Sequence, residues 1–314
     1  MIVLLESIHP DSLLLLEAVD EVRVTADPLV VDASLPREEV RAILTRGRGR
    51  ITAATLEEFP RLVVVGRCGA GLDNIDVDAA QQRGIAVVNA PGATTAAVAE
   101  HAALLMLGLA RRITVLDAAV KDGGWSIREG YTGAELRGKC LGIVGLGSIG
   151  RRVASLGRAF EMDIVYWSPS SRDDDLVRLE LDELLAAADV VQLCAALAAD
   201  TRGMIDARRL ALMRPTAMLV NTSRGALVDH AALIDAINGG RLSGYATDVW
   251  DPEPPPAAEL DALGDRLLVS PHVAAITDVT YREICMRTVE AAVAALSARA
   301  GAPTDGRIGD CRAT

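Results

Sequence analysis

Short apolar runs alternate with amphipathic stretches along most of this chain. In the N-terminal part, the runs that predict buried strands cover 2–5, 22–25, 43–45, 62–65 and 85–88. Between them, an apolar period of about 3.6 residues predicts helices over 10–18, 36–42, 56–59 and 77–82. Strands that alternate with helices at this pace predict a parallel sheet with helices on both faces.

The same alternation resumes after a turn-rich joint at 89–95, NAPGATT. A long apolar helix is predicted from Ala96 to about Lys121, and later strands over 140–144, 164–167, 190–194, 217–221, 244–248 and 267–270. Further helices are predicted over 207–212, 230–238 and 278–298, and residues 301–314 predict a frayed tail because they lack apolar periodicity. We therefore expect two α/β domains, each with a doubly wound parallel sheet.

A glycine-rich turn directly follows the strand predicted over 140–144. Gly145, Gly147 and Gly150 have the spacing GxGxxG, and an amphipathic helix comes after them. In such a unit the first glycine permits the turn, the second lets the backbone approach a pyrophosphate, and the third lets the helix pack on its strand. The free N–H groups at the start of the helix bind phosphate. The stretch therefore predicts a dinucleotide site.

Three side chains follow predicted strands of the same domain, at the sheet edge where open α/β folds bind ligands. Arg224 follows the strand at 217–221, Glu253 lies in the proline-rich loop WDPEPPP, and His272 follows the strand at 267–270. A guanidinium can bind a carboxylate through two parallel hydrogen bonds, and a histidine can exchange a proton near neutral pH. Each residue alone is typical of a surface or structural position, but together they indicate a catalytic site.

Composition and charge narrow the expected partners. The chain has 314 residues, half of them hydrophobic, and a net charge of −11, which argues against nucleic acid or an anionic membrane surface as the main partner. The five cysteines are widely spaced, so they imply neither a disulfide framework nor a metal site. The start MIVLLES lacks the features of a signal peptide, and the apolar segment 96–110 is too short to span a bilayer. We therefore expect a cytoplasmic protein.

The chain resembles the D-isomer-specific 2-hydroxyacid dehydrogenases over nearly its whole length. The stretches that carry the resemblance are, in the family's order, GRCGAGLDNIDVDAA, AEHAALLMLGLARR, GLGSIG, VNTSRGALVD, ATDVWDPEP and SPHVAAIT. The resemblance implies a Rossmann nucleotide-binding domain at 96–275 and a flavodoxin-like substrate-binding domain built from 1–95 and 276–314. It also implies a homodimer formed through the nucleotide-binding domain, with the helix 96–110 and the arm around Trp125 as candidate contacts.

The same resemblance implies the activity and the residues that serve it. The expected reaction is hydride transfer between a nicotinamide cofactor and C2 of a small, anionic 2-oxo or 2-hydroxy acid. Arg224 would hold the substrate carboxylate, His272 would exchange the proton, and Glu253 would pair with His272. Cofactor contacts are implied at Gly145, Leu146, Gly147, Ser148, Ile149, Gly150, Ser168, Arg172, Cys194, Ala195, Thr201, Thr222, Ser223, Asp248 and Ala274.

Arginines in the N-terminal part suggest a substrate with a second anionic group. Gly69, Ala70 and Gly71 match the family's carboxylate-binding loop, where backbone N–H groups favour anions. Arg67, just before this loop, gives the stretch a particular likeness to phosphoglycerate dehydrogenases. We expect a short form of these enzymes, without their C-terminal regulatory domain. Further arginines, Arg46, Arg48 and Arg50, lie in the preceding strand-end loop. This pattern fits two alternatives. The arginines form a pocket for phosphate or phosphonate, or Arg67 is simply a residue common in the family.

The position that selects the cofactor departs from the pattern for NAD. An NAD-binding unit usually ends its second strand in Asp or Glu, which binds the ribose 2′-hydroxyl. Here that position is Ser168, and Arg172 follows in YWSPSSRDDD. Hydroxyls and an arginine suit a 2′-phosphate, so the sequence favours NADP(H) slightly and leaves NAD(H) open.

Two other functions stay open at this point. An NAD(H)-sensing corepressor of the same superfamily would share these motifs, although it should also carry a peptide-binding groove and an extended tail. A phosphite-type dehydrogenase would share them as well. Glu253 argues against formate as the substrate, because formate enzymes of this pattern carry glutamine there.

Overall fold

The computed structural model describes residues 1–25, 34–47 and 49–300. Arg48 and the tail predicted at 301–314 lie outside the described residues. The chain divides into two compact units, the first formed by Met1–Ala93 with Asp278–Thr314 and the second by Thr94–Thr277.

Both units consist of strands that alternate with helices. The strands are β1 (Ile2–Leu4), β2 (Val22–Val24), β3 (Ala42–Thr45), β4 (Val64–Arg67), β5 (Ala86–Asn89), β6 (Cys140–Val144), β7 (Asp163–Trp167), β8 (Val177–Arg178), β9 (Val190–Leu193), β10 (Met218–Asn221), β11 (Gly244–Thr247) and β12 (Leu267–Val269). The helices are α1 (Pro10–Glu17), α2 (Ala53–Glu57), α3 (Val77–Gln82), α4 (Thr95–Arg111), α5 (Ile113–Lys121), α6 (Ser148–Ala159), α7 (Leu181–Ala187), α8 (Ala207–Leu210), α9 (His230–Asn238), α10 (Ala257–Leu263) and α11 (Asp278–Ala300). Short 3-10 turns cover Arg37–Glu39, Trp125–Glu129, Gly225–Leu227 and Gly264–Arg266.

The first unit has a five-stranded parallel sheet in the order β2-β1-β3-β4-β5. This is the flavodoxin-like order, which reverses direction between β1 and β3. The two strands at the reversal are the most apolar ones, and all their residues are buried. Helix α11 returns the C-terminal part of the chain to this unit and packs on α1, β4 and β5.

The second unit has a seven-stranded sheet in the order β12-β11-β10-β9-β6-β7-β8, again with every neighbouring pair parallel. The order reverses between β6 and β9, which is the Rossmann arrangement and places a crevice at the carboxyl ends of these two strands. Side chains of β6 point to both faces: Ile143 packs with α4 and α6, and Val144 packs with α7 and α9. The prediction of two doubly wound parallel sheets is confirmed.

Three predicted helices differ clearly from the observed ones, and the one expected over 56–59 is observed over Ala53–Glu57. The long helix expected from Ala96 to Lys121 ends at Arg111 and restarts at Ile113, because Arg112 adopts a left-handed backbone with a φ of 48°. The helix expected over 36–42 is only a 3-10 turn. There the N–H of Arg41 donates to the Met1 carbonyl at 2.9 Å, and Ala42 joins β3. Pairing with a buried sheet therefore overrides the local helical pattern at this point.

Three short elements have no counterpart among the predicted ones, namely β8, α7 and α10. Within the described part of the chain, no helix combines the length and the apolar character needed to cross a membrane.

Candidate active site

Loops at the carboxyl edge of the second unit's sheet carry most of the predicted site residues. The strands end level with one another, since Leu193 pairs with both Val144 and Asn221, and Thr247 pairs with both Asn221 and Val269. The loops that follow β6, β9, β10, β11 and β12 therefore start from one line along this edge. This common edge is what brings residues distant in sequence together.

The glycine turn after β6 is tightly packed at two of its glycines and open at the third. Gly145 has a φ of +100°, and a Cβ there would press on the backbone of Ala195 at 2.7 Å, at the switch point beside β9. A Cβ on Gly150 would overlap the Gly145 carbonyl, whereas one on Gly147 would meet open space. Gly147 is the N-cap of α6 and provides no side-chain cap, so the first N–H groups of this helix lack a side-chain oxygen from the cap residue. These features fit a bound pyrophosphate.

His272 and Glu253 form the central pair of the site. The His272 Nδ1 atom lies 3.0 Å from both carboxylate oxygens of Glu253, and each side chain is about two-fifths exposed, at 40% and 42%. The N–H of Trp250 also donates to Glu253 Oε1 at 3.2 Å. The pair therefore joins the loop after β11 to the loop after β12.

The electrostatic surroundings keep Glu253 ionised. Partial burial pushes the pKa of Glu253 upward, but the hydrogen bond and charge of His272, the Trp250 N–H and the charge of Arg224 together outweigh it. The net effect is a lowered pKa for Glu253. The carboxylate is thus available to accept a hydrogen bond from His272 throughout the neutral range.

Arg224 lies close enough to this pair to act on Glu253 through its charge. Its Nη1 donates to the Ser223 carbonyl at 2.8 Å, and its own carbonyl accepts from Asn221 Nδ2 at 2.9 Å. Gly225 packs against the backbone of Trp250, where a Cβ would overlap main-chain atoms. This contact fixes the loop after β10 against the loop that carries Glu253.

The predicted cofactor residues after β9 and β10 form a connected group. Ser223 Oγ donates to the Ala195 carbonyl, and Gln192 Nε2 donates to Thr222 Oγ1 at 3.0 Å. Thr201 Oγ1 closes its own turn by donating to the Ala196 carbonyl at 2.8 Å. Burial raises the pKa of the Cys194 thiol to about 12, so this side chain is uncharged at neutral pH.

The segment after β7 gathers arginines around Ser168. Ser168 is 3% exposed, and its Oγ accepts the N–H of Ser171 at 3.1 Å. Its carbonyl accepts from Arg172 Nη1 at 3.2 Å and from Arg178 Nη2 at 3.4 Å. Arg151, in the first turn of α6, pairs with Asp173. The hydroxyl of Ser168 is therefore engaged within its own turn, and two guanidinium groups and the Arg151–Asp173 ion pair lie near it.

Asp248 has a different environment from the one expected of a direct cofactor contact. Its side chain is 1% exposed and accepts hydrogen bonds from Ser270 Oγ at 2.6 Å, from the Val273 N–H at 2.9 Å and from the Ala274 N–H at 2.8 Å. Its carboxylate holds the loop that carries His272.

In the first unit, the residues predicted to bind substrate lie at the carboxyl edge of its sheet. Arg67 ends β4, and its guanidinium packs on Gly47 and on Gly69, where a Cβ would overlap it. The Arg46 guanidinium lies over the ring of Tyr281, 5.4 Å from its centroid. In the loop 69–71, the carbonyl of Ala70 accepts from Asn89 Nδ2 at 2.7 Å.

Several residues of these edges were not expected from the sequence. In the first unit, Glu6 accepts hydrogen bonds from the N–H groups of Arg46 and Gly47, at 2.7 and 3.0 Å, and so shapes the loop after β3. In the second unit, His230 stacks on Trp250 with ring centroids 4.2 Å apart, and burial lowers its pKa. His101 on α4 contacts Ser270. The sequence signals for His101 are a polar residue within an apolar helix, which more often marks a satisfied core residue, and its place in the stretch AEHAALLMLGLARR.

The second unit has the sheet order, glycine turn and strand-end loops of a dinucleotide-binding domain. A family model described as the NAD binding domain of D-isomer specific 2-hydroxyacid dehydrogenases matches residues 103–274. The chain belongs to this family, which confirms the resemblance seen in the sequence.

Two curated relatives illustrate the range of the family. The chain is 38% identical to the D-3-phosphoglycerate dehydrogenase of Archaeoglobus fulgidus over 273 residues, which cover 83% of this chain and 52% of the relative. It is 40% identical to the glyoxylate reductase of Aeropyrum pernix over 268 residues, which cover 82% and 80%. The chain thus spans about half the length of the phosphoglycerate dehydrogenases that it matches.

Solved structures show the same architecture. A D-lactate dehydrogenase from Aquifex aeolicus in complex with NAD and lactic acid superposes with a TM-score of 0.84 at 27% identity, covering 95% of each chain. An NADPH-dependent glyoxylate/hydroxypyruvate reductase from Sinorhizobium meliloti in complex with NADP and malonate gives 0.84 at 29% identity, covering 96% of this chain and 93% of that one.

Proposed function

We propose that this chain is a nicotinamide-dependent oxidoreductase that interconverts a small 2-oxo acid and the corresponding 2-hydroxy acid. The observation that carries the proposal is the His272–Glu253 pair, 3.0 Å apart, on the same sheet edge as the glycine turn and Arg224. The relatives support it, since they are named phosphoglycerate dehydrogenase and glyoxylate reductase.

The pair determines how His272 meets the substrate. An ionised carboxylate only accepts hydrogen bonds, so the proton between the two side chains resides on His272 Nδ1. His272 Nε2 is then directed to the substrate, giving a proton to the carbonyl oxygen in reduction and taking it back in oxidation. Arg224 holds the substrate carboxylate and polarises the adjacent carbonyl. When bound, the nicotinamide supplies the hydride in one direction and accepts it in the other.

The first unit supplies the proposed recognition of anionic groups. We assign substrate binding to Arg46, Arg67 and the backbone of residues 69–71. Glycines at 47 and 69 leave space that the Arg67 guanidinium fills, which holds this group at the sheet edge. Two guanidinium groups on neighbouring strand ends favour a substrate with a phosphate or phosphonate besides its carboxylate.

For the cofactor we propose a preference for NADP(H). No carboxylate stands at the end of β7, because Ser168 occupies that position. Arg172 and Arg178 both reach the Ser168 carbonyl, and Arg151 lies nearby through its pair with Asp173. Positive charge at this point suits a 2′-phosphate better than a 2′-hydroxyl. We thus assign substrate binding to the first unit and cofactor binding to the second.

One assay tests these proposals together. Purified protein is given glyoxylate, hydroxypyruvate, pyruvate, phosphonopyruvate and 3-phosphohydroxypyruvate in turn, each with NADH and with NADPH, and oxidation of the cofactor is followed by absorbance. We expect turnover with at least one 2-oxo acid, and higher kcat/KM with NADPH. Cofactor binding without any turnover across the panel would instead favour an NAD(H)-sensing protein. Reduction of NAD(P)⁺ by phosphite, without reduction of any 2-oxo acid, would favour a phosphite dehydrogenase.

A further inference from the structure

A partly buried chain of hydrogen bonds runs from helix α4 to the loop that carries His272. His101 Nε2 lies 2.8 Å from Ser270 Oγ, which in turn lies 2.6 Å from Asp248 Oδ1. The direct distance from His101 Nε2 to Asp248 Oδ1 is 3.6 Å, and the two side chains are 17% and 1% exposed. Three elements distant in sequence, α4 and the ends of β11 and β12, thus meet in one polar cluster.

The available protons fix the direction of these hydrogen bonds. Asp248 receives two backbone N–H groups, from Val273 on Oδ1 and from Ala274 on Oδ2, so its carboxylate acts as an acceptor. The single hydroxyl proton of Ser270 is therefore donated to Asp248, and the Ser270 oxygen is left to accept. His101 must then donate its Nε2–H to Ser270. This arrangement requires His101 to be protonated at Nε2.

This cluster secures the backbone on both sides of His272. The N–H of His272 donates to the Asp248 carbonyl at 2.8 Å, and the next two N–H groups donate to the Asp248 carboxylate. His272 has a φ of 56°, in the left-handed region that residues other than glycine adopt only when their surroundings impose it. The cluster supplies that constraint, and the imidazole of His272 is thereby aimed at Glu253.

We propose that His101 and Ser270 are positioning residues that hold His272 in its left-handed conformation through Asp248. His101 donates a hydrogen bond to Ser270, and Ser270 in turn donates to the nearly inaccessible carboxylate of Asp248. Without the His101 donor, the Ser270 hydroxyl can rotate away from Asp248. Asp248 Oδ1 then loses its hydrogen bond from Ser270. The catalytic reading of this effect rests on the proposed function of His272, whereas the structural coupling does not.

The first test compares two substitutions of His101 in the active protein. His101→Gln places an amide N–H where the ring nitrogen lies, and His101→Leu fills the space without a donor. We expect His101→Leu to lower kcat roughly 10- to 100-fold, the scale of a misplaced catalytic group, and His101→Gln to recover most of it. The affinity for NADPH, measured by fluorescence of the bound cofactor, should stay unchanged in both. Glu100→Gln, an exposed neighbour on α4, serves as the control.

Two results of this assay overturn the proposal. One is a kcat for His101→Leu equal to that of Glu100→Gln. The other is an equal loss in His101→Leu and His101→Gln, since that would show that the ring, and not its donor, matters.

A second measurement is independent of turnover. The chain contains only four histidines, so ¹⁵N-histidine labelling resolves the two ring nitrogens of each by NMR. We expect protonated Nε2 on His101 at mildly alkaline pH, and a shift of the His272 ring signals in Ser270→Ala but not in Glu100→Gln. An unprotonated Nε2 on His101 in the native protein, or unmoved His272 signals in Ser270→Ala, refutes the coupling. A protein that shows the coupling but reduces no 2-oxo acid refutes the proposed function alone.

Discussion

The three glycines of the turn after β6 have different surroundings. The folded backbone requires two of them, whereas the third is not required by packing. Gly145 needs its positive φ, and Gly150 leaves no space between α6 and the Gly145 carbonyl. Gly147 has a φ of −82° and open space around it. Of the three glycines in this turn, Gly147 alone can therefore receive a methyl group without a clash in the folded chain.

Gly147→Ala is predicted to fold normally and to bind cofactor weakly. A Cβ at this position would occupy the space proposed for the pyrophosphate, and we expect the Kd for NADPH to rise about 10-fold or more, equivalent to about 1.4 kcal/mol. Binding is measured by titration of cofactor fluorescence, and stability by thermal unfolding. Gly130→Ala is the matched control, because Gly130 has a φ of −107° and equally open surroundings. Equal affinities in both variants would contradict the assigned phosphate site.

His272→Asn is predicted to remove proton transfer while retaining the loop. Asparagine adopts the left-handed region more readily than most residues, so this substitution preserves the backbone at a φ of 56°. We expect kcat to fall by ~100-fold or more, the scale of general acid catalysis, with an unchanged Kd for NADPH. Steady-state assays of the best 2-oxo acid measure the first quantity. Near-native turnover would exclude His272 as the proton donor.

Arg67→Ala is predicted to act selectively on substrates with a second anionic group. Loss of a charge-assisted contact should raise KM for 3-phosphohydroxypyruvate or phosphonopyruvate about 10-fold, and KM for glyoxylate much less. Arg61→Ala, an exposed arginine of the same unit, controls for the general loss of positive charge. A uniform rise in KM across the substrates would assign Arg67 to the shape of the loop 69–71 and not to recognition of phosphate.

Single residues also show where inference from sequence ends. Arg224, Glu253 and His272 could be selected because each follows a predicted strand, and the common edge of a parallel sheet brings such positions together. His101 could not be selected in this way. Its partners Ser270 and Asp248 directly follow strands β12 and β11, and only the packing of α4 across the sheet brings His101 next to them.

At the scale of elements, periodic apolar patterns predicted helices and strands well wherever burial and local preference agree. The helices at 77–82 and 230–238 and the strand at 140–144 have their predicted bounds. The break at Arg112 had no sequence signal, since neither glycine nor proline lies there. It arises because Arg112 caps the end of α4 in a left-handed conformation. Its N–H donates to the carbonyls of Gly108 and Leu109.

The link between α7 and α8 provides a prediction of pH dependence. Hydrogen bonds from Arg208 and Arg209 lower the pKa of Asp182 from 3.8 to about 2. A carboxylate with a lowered pKa stabilises the fold above its unfolded value, and this contribution is lost as the pH falls through the folded value. Asp182→Asn should therefore lower Tm modestly at neutral pH, and its difference from the native chain should shrink between pH 3.8 and about 2.

Thermal unfolding over a series of pH values measures this difference. Asp261→Asn, an exposed aspartate on α10 of the same unit, is the control and should show no comparable convergence with the native chain at low pH. A constant difference for Asp182→Asn at all pH values would mean that the side chain acts through packing and not through its charge.

At the scale of the whole molecule, alternation of strands and helices was sufficient to predict two parallel sheets. The helix between most successive strands makes these connections crossovers, which explains why the paired strands are parallel. The edge strand β8 was beyond such reasoning, since a pair of exposed residues has no apolar pattern. The arrangement of Arg172 and Arg178 around the Ser168 carbonyl likewise depends on the loops after β7, which have no periodic pattern in the sequence.

The second unit displays large apolar side chains that a monomer would leave in water. They lie on α4, on α5 and on the adjoining 3-10 turn, and are Leu104, Leu107, Ile113, Val120 and Trp125, with exposed fractions of 59%, 37%, 50%, 44% and 66%. α5 contains no buried residue at all. Apolar surface of this kind marks association sites, and we propose that these elements form the interface of a homodimer.

This interface gives the last prediction. Ile113→Glu would place a charge without a partner in the apolar contact, which costs about 3–5 kcal/mol and raises the dimer Kd roughly 10²- to 10⁴-fold. Sedimentation velocity at micromolar protein should show a dimer for the native chain and a monomer for this variant. Leu14→Glu, at a residue 65% exposed on α1 of the other unit, should remain dimeric. A native chain that sediments as a monomer, or dissociation caused equally by both variants, would show that the apolar surface of α4 and α5 serves another purpose.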